Sequence, residues 1–367
     1  MRSGSEMATE AAEASSDVNR LLNILLERAG SDLHLTAGAP PVIRLNGQLV
    51  RLEEFPTLDP VTIRQLIYSI LTSRQRERFE ENLELDLSLS LPGKARFRVN
   101  VFQQREALGA AFRLIPVDIR PLQDLGVPPR VAEFATLARG LVLITGPTGQ
   151  GKTTTLASII DLVNSQRDVH IVTIEDPIEF LHHHKRSIIN QREVGTDTKS
   201  FANALRHVLR QDPDVILVGE MRDLETISIA LTAAETGHLV FATLHTQDAA
   251  QTVDRVIDVF PPHQQEQVRV QLAGSLQGIM TQQLLPTMDG QGRLPAVEIL
   301  VATPAVRNMI REGKTHQLYS ALQAGGQFGM QTMDQSLADL HKKGKISFEM
   351  ALDRCHDAAA LQQLVGR

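Results

Sequence analysis

Between residues 141 and 163 the apolar positions change their period. Leu141, Val142, Leu143 and Ile144 are a continuous apolar run, as in a strand buried on both faces, whereas Leu156, Ile159, Ile160 and Val163 fall at i, i+3, i+4 and i+7, as on one face of a helix. The pattern predicts a strand and a helix joined by a glycine-rich turn. Further strand-like runs at His170–Ile174, Val215–Val218 and Leu239–Leu244 alternate with helical stretches, so parallel strands with crossover helices are expected after Arg130. Upstream the pattern is mixed. Leu21, Leu22, Leu25 and Leu26 suggest a helix, and apolar residues around an Asn46-Gly47 dipeptide suggest a hairpin. A second helix is predicted from Pro60 to Phe79. Phe97, Val99 and Val101 alternate with Arg96, Arg98 and Asn100, as in a half-buried strand.

These patterns divide the chain. Residues 1–17 are small, polar and acidic without an apolar stretch, and read as a disordered tail rather than a signal peptide, with Met7 as a possible alternative start. Residues 18–115 read as a small α+β domain. Residues 116–129 hold Pro116, Pro121, Pro128 and Pro129, which reads as an extended linker. Residues 130–303 read as an α/β domain, and residues 304–367 as a charged helical region.

A length of 367 residues fits two domains, and 42% hydrophobic with 22% charged residues fits a soluble globular protein. The core must be mainly aliphatic, because aromatic residues make up 4% and Trp is missing. A net charge of −6 argues against a protein that coats nucleic acid, so no nucleic-acid partner is expected. Cys355 is the single cysteine, which excludes an intrachain disulfide and fits a reducing, cytoplasmic compartment. No apolar run approaches the length of a membrane span, so any membrane link is expected through partners.

The turn after Ile144 carries the chemistry. Its sequence fills the phosphate-loop pattern GxxxxGK[ST] with Gly146, Pro147, Thr148, Gly149, Gln150, Gly151, Lys152 and Thr153, followed by Thr154. Glycines let backbone N–H groups turn around phosphate oxygens, Lys152 would reach the β and γ phosphates, and the Thr153 hydroxyl would hold Mg²⁺. The ligand is thus a magnesium nucleoside triphosphate, ATP or GTP. Hydrolysis needs carboxylates at neighbouring strand ends. Two clusters supply them: Glu175, Asp176 and Glu179 in TIEDPIE, and Glu220 at the end of DVILVGE. His238 and His245 stand at the two ends of a third strand, where spacing alone favours a structural hydrogen-bonding role. His182, His183 and His184 read as exposed loop residues.

GPTGQGKTTT, TIEDPIEF, DPDVILVGEMRDLETI and AAETGHLVFATLHT resemble the Walker A, Asp box, Walker B and His box of the bacterial secretion ATPase superfamily. NQREVGTDT, RVIDVFPP, AVRNMIREGKTHQLYSALQ and GMQTMDQSL are similar to its type IV pilus twitching-motility (retraction) ATPases, from about Asp32 to Ile346. Ala305–Glu312 looks like their retraction motif, AIRNLIRE. The resemblance implies a RecA-like P-loop core, a smaller PAS-like N-terminal domain, a homohexamer with ATP between subunits, and an inner-membrane pilus platform protein as partner. It makes Glu179 the base or water-positioning carboxylate with Glu175 beside it, and Glu220 the support for Mg²⁺. His238 and His245 would sense the γ-phosphate or the neighbouring subunit. The best matches to the family's arginine fingers are Arg98 and Arg113. Gln150 replaces the usual Ser at a position expected to contribute mainly backbone, and Val306 and Met309 replace Ile and Leu in the retraction motif.

The resemblance implies a motor that drives pilus retraction. An assembly-type or type II secretion ATPase is the nearest alternative, but those relatives carry a longer N-terminal region and often a four-cysteine zinc insertion. A DNA motor conflicts with the acidic balance. A nucleotide-binding ring with little turnover is the reading outside enzymology.

Overall fold

The chain is described by a computed structural model over residues 17–45, 47–115, 118–290 and 292–366. It divides into two compact units, residues 1–117 and 118–367. The expected tail, apart from Asp17, lies outside the described residues, as do Asn46 and Pro116. Among the described residues no helix is long and apolar enough to cross a membrane.

The first unit runs α1 (residues 17–27), β1 (Asp32–Thr36), β2 (Val42–Leu45), β3 (Gln48–Arg51), α2 (Pro60–Ile70), α3 (Ser73–Asn82), β4 (Glu84–Leu91), β5 (Ala95–Gln104) and β6 (Ala107–Ile115). Its antiparallel sheet has the order β3-β2-β1-β6-β5-β4. The helix expected over Pro60–Phe79 is two helices. Leu71 is extended, and Thr72 starts α3 with a capping box to Gln75 that satisfies the new N-terminus. Alternation in β5 is as expected: Phe97, Val99 and Val101 are fully buried with Phe112 and Leu33, while Arg98 is exposed. Register sets Arg98 opposite Arg113 and Arg113 opposite Asp32, so these three form one row across the sheet.

The second unit runs α4 (Arg130–Glu133), β7 (Gly140–Thr145), α5 (Lys152–Gln166), β8 (His170–Glu175), β9 (Ile188–Glu193), α6 (Phe201–Val208) and β10 (Val215–Val218). It continues with α7 (Leu224–Glu235), β11 (Leu239–Leu244), α8 (Ala249–Asp258), α9 (Pro262–Ser275), β12 (Leu276–Pro286) and β13 (Arg293–Val301). The sheet order is β13-β12-β7-β11-β10-β8-β9, parallel except for the antiparallel β12–β13 pair. Hence the carboxyl ends of β7, β11, β10 and β8 lie side by side along one edge. The four expected parallel strands are present. β9, β12 and β13 are not expected from the pattern: β9 reads IINQRE with polar residues at four of its six positions, and β12 leaves α9 with no intervening turn and is broken by Gln277, Gln282 and Gln283.

The segment expected as an extended linker packs into this unit instead. A 3₁₀ turn spans Leu122–Leu125, and Leu122 and Val127 are buried with Phe134, Ile159, Ile160 and Val163. The Ser158 hydroxyl fixes it to α5 by donating to the Arg120 carbonyl at 2.7 Å. Apolar burial of two side chains outweighs the stiffness of the flanking prolines.

Past β13 come α10 (Pro304–Arg311), α11 (Leu318–Ala324), α12 (Met333–Lys342), α13 (Phe348–Arg354) and α14 (Ala358–Val365). In α10 the expected retraction motif buries Val306 and Ile310. Arg307 turns inward to donate to the carbonyls of Ala302, Ala273 and Gly274, whereas Asn308 and Arg311 face solvent. Glu298 on β13 is buried beneath two helix N-termini, accepting the Ala249 N–H at 2.8 Å and the Met333 N–H. Burial lifts its carboxyl from 4.5 to about 7, against the pull of those two N–H groups. Its stabilising contribution is therefore complete below pH 4.5 and is lost as pH rises to about 7. That loss amounts to about 3 kcal/mol. Glu298→Gln removes the slope: thermal unfolding at pH 5 and pH 8 should show wild type losing ground to the variant at the higher pH.

Candidate nucleotide-binding site

β7 ends at Thr145 in the middle of the sheet, and the chain must turn at once to start α5. Three glycines make that turn, with φ of 136° at Gly146, 79° at Gly149 and 78° at Gly151. Gly146 has a second reason to be glycine: a Cβ there would lie 2.3 Å from the Gln282 carbonyl oxygen on β12. Gly151 caps α5 without a side chain, so the first-turn N–H groups, those of Lys152, Thr153 and Thr154, have no side-chain cap. An uncapped helix start, carrying the positive end of the macrodipole, suits a phosphate.

Lys152 is 8% exposed. Its ammonium donates to the carbonyls of Gly146 at 2.6 Å and Pro147 at 2.9 Å, and stands 3.4 Å from His245 Nδ1. Burial pushes its pKa down, while the charges of Glu220 and Glu179 pull it up. Gln150 does more than the backbone role expected of it: its side-chain oxygen accepts the Leu284 N–H at 2.6 Å.

The acidic strand ends meet this loop along the same edge. Glu220 follows β10, and its Oε1 accepts from Arg222 Nε and from His245 Nε2, the latter at 2.8 Å. Because the Lys152 ammonium can only donate, His245 Nδ1 is the acceptor there and Nε2 carries the proton toward Glu220. Lys152, His245 and Glu220 thus form one continuous chain. Burial raises the Glu220 pKa, but the hydrogen bonds from Arg222 and His245 and the charge of Arg222 outweigh it and hold the carboxyl below its usual range. Glu175 differs. It is buried, accepts from Thr173 Oγ1 at 2.6 Å and Gln191 Nε2 at 3.2 Å, and burial drives its pKa up. Glu179 is exposed. Of the Asp-box pair, Glu179 is the carboxylate free to meet a water and Glu175 the one favoured to keep its proton.

Not every expected site residue is brought here. His238 precedes β11, so it stands at the opposite end of that strand from His245; its carbonyl accepts the Gly140 N–H and its Nδ1 sits 2.9 Å from the Ala233 carbonyl, closing α7. Strand direction separates it from the phosphate loop of its own chain. Arg98 and Arg113 lie in the first unit, where Arg113 Nε donates to Asp32 Oδ1 at 2.9 Å. Burial would raise the Asp32 pKa, yet its bonds to Ser31 and Arg113 lower it, so Asp32 is an anion that fixes Arg113. His182 is not the exposed residue expected. It is half-buried, its Nδ1 has no partner, and burial lowers its pKa to about 4. His183 and His184 are exposed. Motif reading gives no role to Gln282, Gln191 and Arg222, although Gln191 stands within NQREVGTDT and Arg222 within DPDVILVGEMRDLETI; tertiary contact shows what they touch.

Thr153, half-buried in the first turn of α5, and Glu220 are the groups able to hold Mg²⁺. Among the described residues no group of three or more His, Cys, Asp or Glu side chains is arranged for a metal.

Residues 8–298 match the family model described as Type II/IV secretion system protein. The chain belongs to that family. Within it, the chain is 52% identical over 338 residues to the type IV pilus retraction ATPase PilT of Pseudomonas aeruginosa, covering 92% of this chain and 98% of that one. It is 51% identical over 321 residues to a twitching motility protein of Neisseria gonorrhoeae, covering 88% and 86%. A crystal structure of the pilus retraction motor PilT with bound ADP superposes with a TM-score of 0.89 at 50% identity, covering 94% of this chain and 99% of that one. The mixed sheet with its phosphate loop is accordingly the RecA-like core of the secretion ATPases, and the chain is of the pilus retraction type.

Gly146 and Gly149 make a contrasting pair. Gly146→Ala drives a methyl into the Gln282 backbone and should abolish binding of a fluorescent ADP analogue. Gly149→Ala meets nothing within 4 Å and strains only its left-handed φ, so it should weaken binding by tenfold or less at about 1 kcal/mol.

Proposed function

We propose that this chain hydrolyses ATP in a ring of six and converts that cycle into retraction of a type IV pilus through an inner-membrane platform protein. The observation that carries the hydrolytic part is the Lys152–His245–Glu220 chain at the phosphate loop, with Glu179 open beside it. The family membership and the α10 motif carry the retraction part. Backbone N–H groups of residues 146–154 bind the phosphates, and Lys152 exchanges its loop carbonyls for β- and γ-phosphate oxygens. Thr153 and Glu220 hold Mg²⁺, which supplies charge neutralisation at the phosphates. Glu179 orients or deprotonates the attacking water, and Glu175 positions the Asp box. His245 sits between Lys152 and Glu220, so a γ-phosphate that draws Lys152 away changes its hydrogen bonds. The protein works at the cytoplasmic face of the membrane.

Arg98 and Arg113 complete the site from another subunit. A planar, permanently charged guanidinium suits the charge that spreads over the transferred phosphoryl group. Nucleotide drives motion because it contacts the open and closed arrangements differently.

Mixing two dead proteins tests both the chemistry and the shared site. Lys152→Ala and Arg113→Ala should each abolish most phosphate release, with Arg113→Ala still binding nucleotide. A ring assembled from both contains some interfaces with an intact Lys152 and an intact Arg113, so turnover should partly return on mixing. No recovery would place both residues in one protomer's site or remove Arg113 from it.

A further inference from the structure

Strand β12 carries no recognised nucleotide motif, yet it forms the floor of the phosphate loop. Gln282, 2% exposed, uses both ends of its amide there. Its Oε1 accepts from the Thr155 hydroxyl at 2.8 Å, and its Nε2 donates to the Gln150 carbonyl at 2.7 Å. Its own backbone oxygen closes the space under Gly146, and its Nε2 would lie 2.9 Å from a Cβ at Gly151. Two residues further along β12, the Leu284 N–H donates to the Gln150 side chain at 2.6 Å. The loop is therefore gripped at its first glycine, at Gln150 from two directions, and at Thr155 in the first turns of α5. The amide orientation is determined by its neighbours: a threonine hydroxyl that gives its proton to one end and a carbonyl that can only accept at the other.

We propose that Gln282 and Gln150 form an amide clamp that presets the phosphate loop in its binding shape, with Gln282 as a positioning residue for nucleotide affinity. The proposal rests on the loop holding a nucleotide. A loop of three left-handed glycines has many accessible conformations, and a ligand that must order it binds more weakly by that cost. Lost clamp bonds leave the Gln150 carbonyl and the Thr155 hydroxyl without these partners and return the loop to that freedom. The clamp touches the cradle and no reacting atom, so its loss affects ground state and transition state alike. Affinity falls, ATP and ADP suffer equally, and kcat is kept.

The test is a set of affinities for magnesium and fluorescent ADP, with steady-state kinetics alongside. Gln282→Met keeps the length and removes both bonds. It should raise the ADP Kd and the ATP KM together by about tenfold, the worth of two ordinary hydrogen bonds, with kcat within about threefold. Gln150→Ala, at a half-buried loop position, should raise Kd by about threefold. Because both act on one loop, the double variant should stay near tenfold rather than reach the product of about thirtyfold. Unchanged affinity in both single variants, or a fall in kcat with KM unmoved, overturns the clamp. If wild type itself binds no ADP, the nucleotide reading fails as well, and the two failures are told apart.

Discussion

A buried ammonium at the end of a central strand is the constraint around which the second unit is arranged. Lys152 has lost most of its water, and an isolated buried charge is untenable. Two loop carbonyls, a histidine nitrogen and two nearby carboxylates compensate it. Those groups can converge only because β7, β11 and β10 are parallel neighbours whose carboxyl ends share an edge. Phosphate oxygens would replace the carbonyls with a stronger, charge-assisted partner, so the resting arrangement is already biased toward the ligand.

Environment separates three carboxylates of similar sequence context. Glu175 is enclosed and leans toward its protonated form; Glu220 is held as an anion by Arg222 and His245; Glu179 faces solvent. An enclosed acid held by its neighbours is suited to structure, an anion next to the phosphate loop to metal support, and a solvated carboxylate to water. In the first unit, two guanidiniums stand directly across a strand pair, a destabilising placement that Asp32 relieves at the Arg113 end.

Much of this is legible in the sequence. Period-3.6 burial of Leu156, Ile159, Ile160 and Val163, the four parallel strands and the loop glycines follow from local pattern, because strand, turn and helix there are encoded within a few residues. β12 and β13 were not legible, since a strand interrupted by glutamines and entered directly from a helix carries no period of its own. The same glutamines are those that touch the loop. His238 and His245 looked equivalent as two ends of one strand, but strand direction admits only one end to the site. The proline-rich segment misled for a related reason: prolines forecast stiffness, and burial of Leu122 and Val127 depends on α5 and the sheet, which lie elsewhere in the chain.

Lys152, compensated rather than free, is the group on which the proposed hydrolysis turns. The decisive comparison is steady-state phosphate release from the purified protein against that of Lys152→Met, a side chain of similar length and no charge. Wild type should show magnesium-dependent ATP turnover, and the variant a loss of at least a hundredfold with the fold intact. Turnover that persisted in Lys152→Met, or wild-type protein that bound ATP without releasing phosphate, would contradict it.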